Sequence, residues 1–140
     1  IDYLSKCNCV VAIPEPVYFY CVNPNSLSKV FRTDRFNKVK KLYKEIIKKL
    51  IPIYGEEVSN RRGDRILIAR ARTNARQIIR HEKIIGKNKM MKALHNICED
   101  QDMNEIFQRY PIHLLPLKYR LVAYLMKYRC YHLLKIILGR

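Results

Sequence analysis

The sequence predicts a mainly α chain: a short extended or β segment over about residues 9–22, followed by four to five amphipathic helices. Three observations predict it. Before residue 30 the apolar residues come in short β-branched and aromatic runs broken by proline. From about residue 34 they recur at helical spacing, with lysine and arginine filling the positions between. Hydrophobic residues make up 49% of the 140, enough to bury a core, which argues against wholesale disorder.

Cys9-Val10-Val11-Ala12-Ile13 is the first extended run, punctuated by Pro14-Glu15-Pro16, and Val17-Tyr18-Phe19-Tyr20-Cys21-Val22 is the second. Asn23-Pro24-Asn25-Ser26 closes it with turn chemistry: Pro24 drives Asn23 away from helix, and Asn25 and Ser26 bond locally to backbone. Two strands alone are marginal in water. Residues 1–30 are therefore expected to complete a sheet supplied by sequence outside this chain, or to pack on the helices.

The first helix is expected to start near Asp34, with Thr33 or Asp34 as cap, and to end at Pro52. Its apolar face is Phe36, Val39, Leu42, Tyr43, Ile46, Ile47 and Leu50, with Lys38, Lys41, Lys44 and Lys48 elsewhere on the wheel. Residues 52–63, holding Pro52, Gly55 and Gly63, read as a connection with a frayed helical turn. A second long helix is expected from near Asp64 to about Ile85, closed by Gly86. A third covers Lys89 to Cys98. A fourth covers Asp102 to Tyr110, with Asp102 as N-cap and Glu105 completing a capping-box spacing. Pro111 and Pro116 mark a joint before a last helical stretch over Leu117 to Leu138, with a break near Tyr128 to Cys130. The regions are thus 1–30, extended, and 31–140, basic and helical.

Charge narrows the partners. The 28 Lys and Arg against 12 Asp and Glu leave a net +16, a field that draws polyanions: phosphorylated substrates, anionic lipid surfaces or nucleic acid. The five cysteines, an odd count with no regular framework, argue against a disulfide-stapled secreted module and fit idle thiols in a reducing cytoplasm. The four histidines show no metal-ligand spacing. No signal peptide is visible, and no apolar run reaches the about 18 residues of a spanning helix. The chain starts at Ile1 rather than Met and is expected to be a fragment or a processed product.

The run Ile13-Pro14-Glu15-Pro16-Val17-Tyr18-Phe19-Tyr20-Cys21-Val22-Asn23-Pro24-Asn25-Ser26-Leu27-Ser28 resembles a segment found late in bacterial family 2 glycosyltransferases. There a strand ending in Pro-hydrophobic-Tyr-x-Tyr-Arg leads into a loop of the form x-Asn-x-x-Ser-hydrophobic-Ser, and Pro16, Tyr18, Tyr20, Asn23, Ser26 and Ser28 sit where the pattern places them. Tyr110-Pro111 and Pro116-Leu117-Lys118-Tyr119-Arg120, running into a Leu- and Tyr-rich basic helix, resemble the tails of enzymes that build capsular or cell-wall polysaccharides. The resemblance implies the C-terminal part of a larger α/β (GT-A type) enzyme that moves a sugar from a nucleotide-sugar donor to a lipid-linked polysaccharide precursor. It offers Tyr18, Tyr20, Asn23 and Ser26 as substrate-binding residues; Tyr18 and Tyr20, two apart on a strand and so on one side of it, either line the donor or acceptor cleft or pack in the core. This chain departs from the pattern at Cys21, where the family usually has arginine.

The resemblance also implies a missing N-terminal catalytic half, whose D-x-D motif holds Mg²⁺ or Mn²⁺ against the leaving diphosphate. The D-x-D-like string here, Asp100-Gln101-Asp102, lies in a helix-joining segment, where capping is its expected role. No catalytic residue, metal ligand or cofactor carries over to this chain, which alone is expected to be inactive.

Two basic constellations remain. Arg65, Arg72, Arg76 and Arg80 recur at intervals of seven and four and form one helical stripe, extended by Arg61 and Arg62. It reads as a phosphate-binding ridge or as a solvated face; four like charges at this spacing repel, which favours a purpose. The tail carries no acid over its last 35 residues, while Lys118, Arg120, Lys127 and Arg129 intersperse Leu117, Leu121, Tyr124 and Tyr128. That mixture suits an interfacial helix at an anionic membrane, or an apolar face packed on other helices. Together these features predict a support and anchoring region, peripheral on the cytoplasmic face of the cell membrane. The alternative is a freestanding basic adaptor for nucleic acid or a protein partner, although helix-turn-helix, RRM and KH signatures are missing and few aromatics interleave the arginine stripe.

Overall fold

The structure, a computed structural model, describes residues 6–9, 11–14 and 34–139. The chain divides into two units, Ile1–Val30 and Phe31–Arg140. Of the extended segment expected over 9–22, Cys9 and residues 11–14 are described. They carry no strand, and Val11 and Ile13 are exposed. A β-branched run needs a paired neighbour to become a strand, and the described residues supply none. Val10 and residues 15–22 lie outside the described residues, as do Thr33, Asn23 and Ser26.

In the second unit the described residues are mainly α: α1 (Arg35–Tyr54), α2 (Glu56–Arg80), α3 (Glu82–Ile85), α4 (Lys87–Cys98), α5 (Gln101–Arg109), a 3-10 turn (Ile112–Leu114), α6 (Leu117–Lys127) and α7 (Tyr131–Gly139). These are seven helices where four to five were expected, because two expected helices are each divided. One divides at the predicted joint over Tyr128 to Cys130. The other divides at His81, whose N–H is shared between the carbonyls of Gln77 and Ile78 (3.1 and 3.2 Å) before α3 begins. Gly86 then ends α3 as predicted, with its N–H on the Glu82 carbonyl at 2.8 Å.

Around Pro52 and Gly63 the expectation of a long connection is wrong. α1 runs on through Pro52 to Tyr54, since a proline in the last turn forfeits only one intrahelical bond. Gly55 alone makes the turn, at φ 77°, a backbone region that costs an L-residue about 1 kcal/mol or more. α2 starts directly after it, with Glu56 and Glu57 in its first turn facing the positive end of the helix. Gly63 is therefore a mid-helix residue. It forms no turn: a Cβ there would lie 2.6 Å from Ile47 Cδ1 and 3.0 Å from the Tyr43 ring.

α2 is the axis of the unit and packs against each of the other helices. One buried row of α2, Ser59, Gly63, Leu67, Ala71 and Ala75, is small at most positions, so neighbours approach closely there, and Ile68, Ile78 and Ile79 are buried beside it. Phe36, Tyr43 and Ile47 of α1, Met90 and Leu94 of α4, Met103, Ile106 and Phe107 of α5, Met126 of α6 and Leu134 of α7 complete one core. Leu42, expected on the buried face of α1, is 60% exposed.

The helices also meet through buried polar contacts. Asp64, 2% exposed, accepts from Tyr43 Oη at 2.8 Å and from Arg109 Nε and Nη2 at 2.8 and 2.7 Å. Burial and the Asp64 carboxylate push the Tyr43 phenol well above its ordinary pKa. The fork of Arg109 satisfies both carboxylate oxygens, as a buried charge requires. At the start of α5, Asp100 rather than Asp102 is the N-cap, accepting from the Met103 N–H at 3.3 Å. Asp102 sits in the first turn and pairs with Lys40 and Lys44 of α1 at 2.9 and 3.0 Å. Asp34 is the N-cap position of α1, but its carboxylate pairs with Lys38 at 2.7 Å and makes no side-chain cap bond.

Candidate functional site

The arginines of α2 follow from its pitch. With the apolar positions turned inward, residues 65, 72, 76 and 80 fall on one outer edge of the helix. α6 and α7 lie against α2, so this edge borders clefts rather than open solvent. Arg65 and Arg72 line the first, of about 170 Å³, with Pro116 and Tyr119 opposite and Ile68, Ala123 and Met126 among its apolar walls. Arg72 and Arg76 line the second, of about 210 Å³, opposite Lys118 and Tyr119, with Val122, Ile137 and Leu138. Arg80 lies further on, beside a third concavity that also includes Lys135 and Glu82. Those two side chains pair with each other at 2.6 Å.

Arg72 and Tyr119 are the centre, common to both of the first two clefts. The Arg72 guanidinium carbon lies 3.7 Å from the Tyr119 ring centroid, a cation–π contact. A hydrogen bond from Arg72, with the charges of Arg72 and Lys118, holds the Tyr119 phenol below its ordinary pKa. This arrangement concentrates positive charge beside apolar walls, which suits an amphiphile with an anionic head.

The outward face of α6 adjoins this chemistry. Leu117, Leu121, Tyr124 and Tyr128 recur at intervals of four, three and four, so they form one stripe. The stripe points to solvent: Leu117 is 76% exposed and Tyr128 67%. The rings of Tyr124 and Tyr128 stack at 6.3 Å. The opposite face, Val122, Ala123 and Met126, is buried. At 3.6 residues per turn Lys118 falls on one flank of the stripe and Lys127 on the other.

The remaining sequence-predicted residues divide. Arg120 turns inward, donating to the carbonyls of His113 and Leu115, so it closes the 3-10 turn instead of offering its charge outward. Arg129 is exposed in the α6–α7 turn at φ 58°. Tyr18, Tyr20, Asn23 and Ser26 lie outside the described residues. The structure thus brings Arg65, Arg72, Arg76 and Lys118 together, leaves Arg80 at a separate concavity, Lys127 on the far flank of α6 and Arg129 in the turn after it, and withdraws Arg120. Tyr119, which joins the two basic constellations, was missed by sequence reasoning; an aromatic beside Lys118 in a basic tail was its only signal.

Among the described residues no group of three His, Cys, Asp or Glu side chains is placed to hold a metal ion. No described helix is long and apolar enough to cross a membrane. Comparison with known proteins gives no relative: no protein-family model, no curated protein and no solved structure matches the chain.

Proposed function

We propose that the helical unit holds its parent protein on an anionic membrane surface, and that the parent is a family 2 sugar transferase whose catalytic half is not in this chain. The outward face of α6 carries the membrane reading. An exposed stripe of two leucines and two stacked tyrosines, flanked by lysines, has the composition of a helix lying in the headgroup plane. Tyrosine rings sit at that depth with their hydroxyls hydrated, and lysine stems reach along the apolar face to keep the ammonium in water. The clefts beside Arg65, Arg72, Arg76 and Lys118 add cations for lipid phosphates. The Pro16 to Ser28 pattern supports the sugar-transferase reading, with a nucleotide-sugar donor, a lipid-linked acceptor and Mg²⁺ or Mn²⁺ in the catalytic half. On this reading the site is the inner face of the cell membrane.

Vesicle sedimentation tests the anchoring. The chain is expected to bind phosphatidylcholine vesicles weakly and vesicles containing phosphatidylglycerol strongly. Leu117→Ser/Leu121→Ser, at two exposed positions, is expected to weaken anionic binding by roughly tenfold or more without changing the melting temperature. Equal binding to neutral and anionic vesicles removes the electrostatic part of the proposal; RNA binding without vesicle binding replaces it with the nucleic-acid adaptor. The parent assignment is tested in the gene: an open frame ahead of Ile1 that encodes no D-x-D-bearing α/β half overturns it.

A further inference from the structure

α1, α2 and α4 border a cleft of about 260 Å³ that belongs to neither the arginine edge nor the α6 stripe. Its lining is chemically different from both. Asn37 comes from α1, Asn74 and Gln77 from α2, and Lys89, Lys92 and Asn96 from α4; none of the lining residues is acidic. Four amides and two amines in one small concavity are more hydrogen-bonding capacity than packing requires.

Two of the amides are held in fixed orientation by partners outside the cleft. Asn74, 6% exposed, donates its Nδ2 to the Arg70 carbonyl at 2.9 Å, which leaves Oδ1 as its acceptor for a ligand. Gln77 Oε1 accepts from Arg35 Nη1 at 2.7 Å, which leaves its amide N–H groups as donors. Lys89 and Lys92 stand one turn apart on α4 and have no carboxylate partner among the described residues. Lys38, Lys40, Lys44, Lys48 and Lys135, by contrast, each pair with a carboxylate. Lys41, Lys83, Lys87, Lys118 and Lys127 likewise have no carboxylate partner among the described residues, so what sets Lys89 and Lys92 apart is the group of amides that shares their cleft.

The donor set sorts itself. Two ammonium groups and the Gln77 amide offer only protons, which an oxyanion accepts, and charge-assisted bonds of this type are the strong ones. Asn37 and Asn96 donate and accept, and Asn74 accepts, which matches hydroxyl groups. The volume is just below the about 300 Å³ at which sites for drug-sized ligands begin, so the ligand is small. We infer that the α1–α2–α4 cleft binds a small soluble phosphorylated polyol, its phosphate on Lys89, Lys92 and Gln77 and its hydroxyls on Asn37, Asn74 and Asn96. The inference is independent of membrane binding.

Titration calorimetry of the chain with glycerol 3-phosphate, inorganic phosphate and glycerol tests it. Saturable binding is expected for the first, weaker binding for the second and none for the third. Lys89→Gln/Lys92→Gln is expected to weaken glycerol 3-phosphate binding by roughly tenfold or more, while Lys41→Gln/Lys83→Gln, at exposed positions away from every cleft assigned to an anion, leaves it unchanged. Asn37→Ala/Asn96→Ala should bring the ester down to the affinity of inorganic phosphate. All of these positions are exposed or half-buried, so melting temperatures should stay constant. Equal losses in the two lysine pairs would show diffuse attraction to a basic protein and overturn the proposal. So would equal affinity for ester and inorganic phosphate. Loss of phosphatidylglycerol-vesicle binding in Lys89→Gln/Lys92→Gln would place the cleft on the membrane and overturn a soluble ligand.

Discussion

Two glycines that look alike in the sequence perform different physical tasks. Gly55 and Gly63 both sit near Pro52 and both read as breakers. At Gly55 the backbone adopts φ 77° and a Cβ would meet nothing within 4 Å, so the residue is there for its conformation. At Gly63 the helix is regular and a Cβ would lie 2.6 and 2.7 Å from Ile47 Cδ1 and Cγ1, so the residue is there for its size. Alanine at 63 gains up to about 1 kcal/mol of helix propensity, but overpacking costs about 1–3 kcal/mol. Ile47 can turn aside at its tip. The Tyr43 ring, 3.0 Å away and tied to Asp64 by its hydroxyl, cannot. Gly63→Ala is therefore expected to destabilise by about 1 kcal/mol, measured by urea unfolding. Ile47→Val, which removes Cδ1, should recover part of that loss in the double variant. It should recover none of the loss in Gly55→Ala, where strain is local to the backbone. Equal coupling of Ile47→Val to both alanines would refute the distinction.

Between elements, the contact most exposed to pH is the joint between α1 and α5. Lys40 reaches Asp100 and Asp102, and Lys44 adds a second hold on Asp102. Burial opposes charge on both sides, yet the lysines hold the Asp102 carboxyl below its ordinary value, and the two carboxylates hold Lys40 above its own. The stabilisation from Asp102 is therefore full above its unfolded value of about 3.9 and is lost as pH falls through the lower folded one. The stabilisation from Lys40 is full below about 10.4 and is lost as pH rises through its higher folded value. Lys40→Met should cost about 1 kcal/mol between those limits, with the difference from the parent chain shrinking at both extremes. A thermal-unfolding difference that stays flat from acid to alkali would mean the joint is held by apolar packing. The same scale shows what the sequence could disclose. The face of α1 apart from Leu42, the extent of α4 to within two residues and the break before α7 were legible because period, proline and glycine act locally. Gly63 was not, because close packing on Ile47 is a contact between helices. Nor was the burial pattern of α6, since apolar residues lie on both its faces and only the neighbours decide which is covered. The arginine edge was readable from its spacing; its meeting with Tyr119 depended on how α6 folds back on α2.

For the whole molecule the question is where so few acids are placed. With 12 Asp and Glu against 28 Lys and Arg, the field is positive everywhere at long range. Several of the carboxylates stand at helix–helix joints: Asp64 with Arg109, Asp100 and Asp102 with Lys40, Glu82 with Lys135, and Glu99 with Tyr131. Among the described residues the surface arginines of α2 have no carboxylate partner; Arg72 faces the Tyr119 ring and Arg62 the Tyr54 ring instead. Two terms then oppose each other as salt is added. Partly buried pairs at short range are screened little, whereas repulsion among exposed cations acts over a screening length of about 30 Å at 0.01 M and about 8 Å at 0.15 M. Repulsion therefore fades first, and the melting temperature is expected to rise by a few degrees between low and physiological sodium chloride in a buffer without phosphate. Over the same range vesicle binding should weaken, because the cations that destabilise the free chain are those that hold it to the membrane. A melting temperature that fell with salt would assign the stability to the ion pairs at the joints. It would also leave the arginine edge without the stored repulsion that an anionic partner relieves.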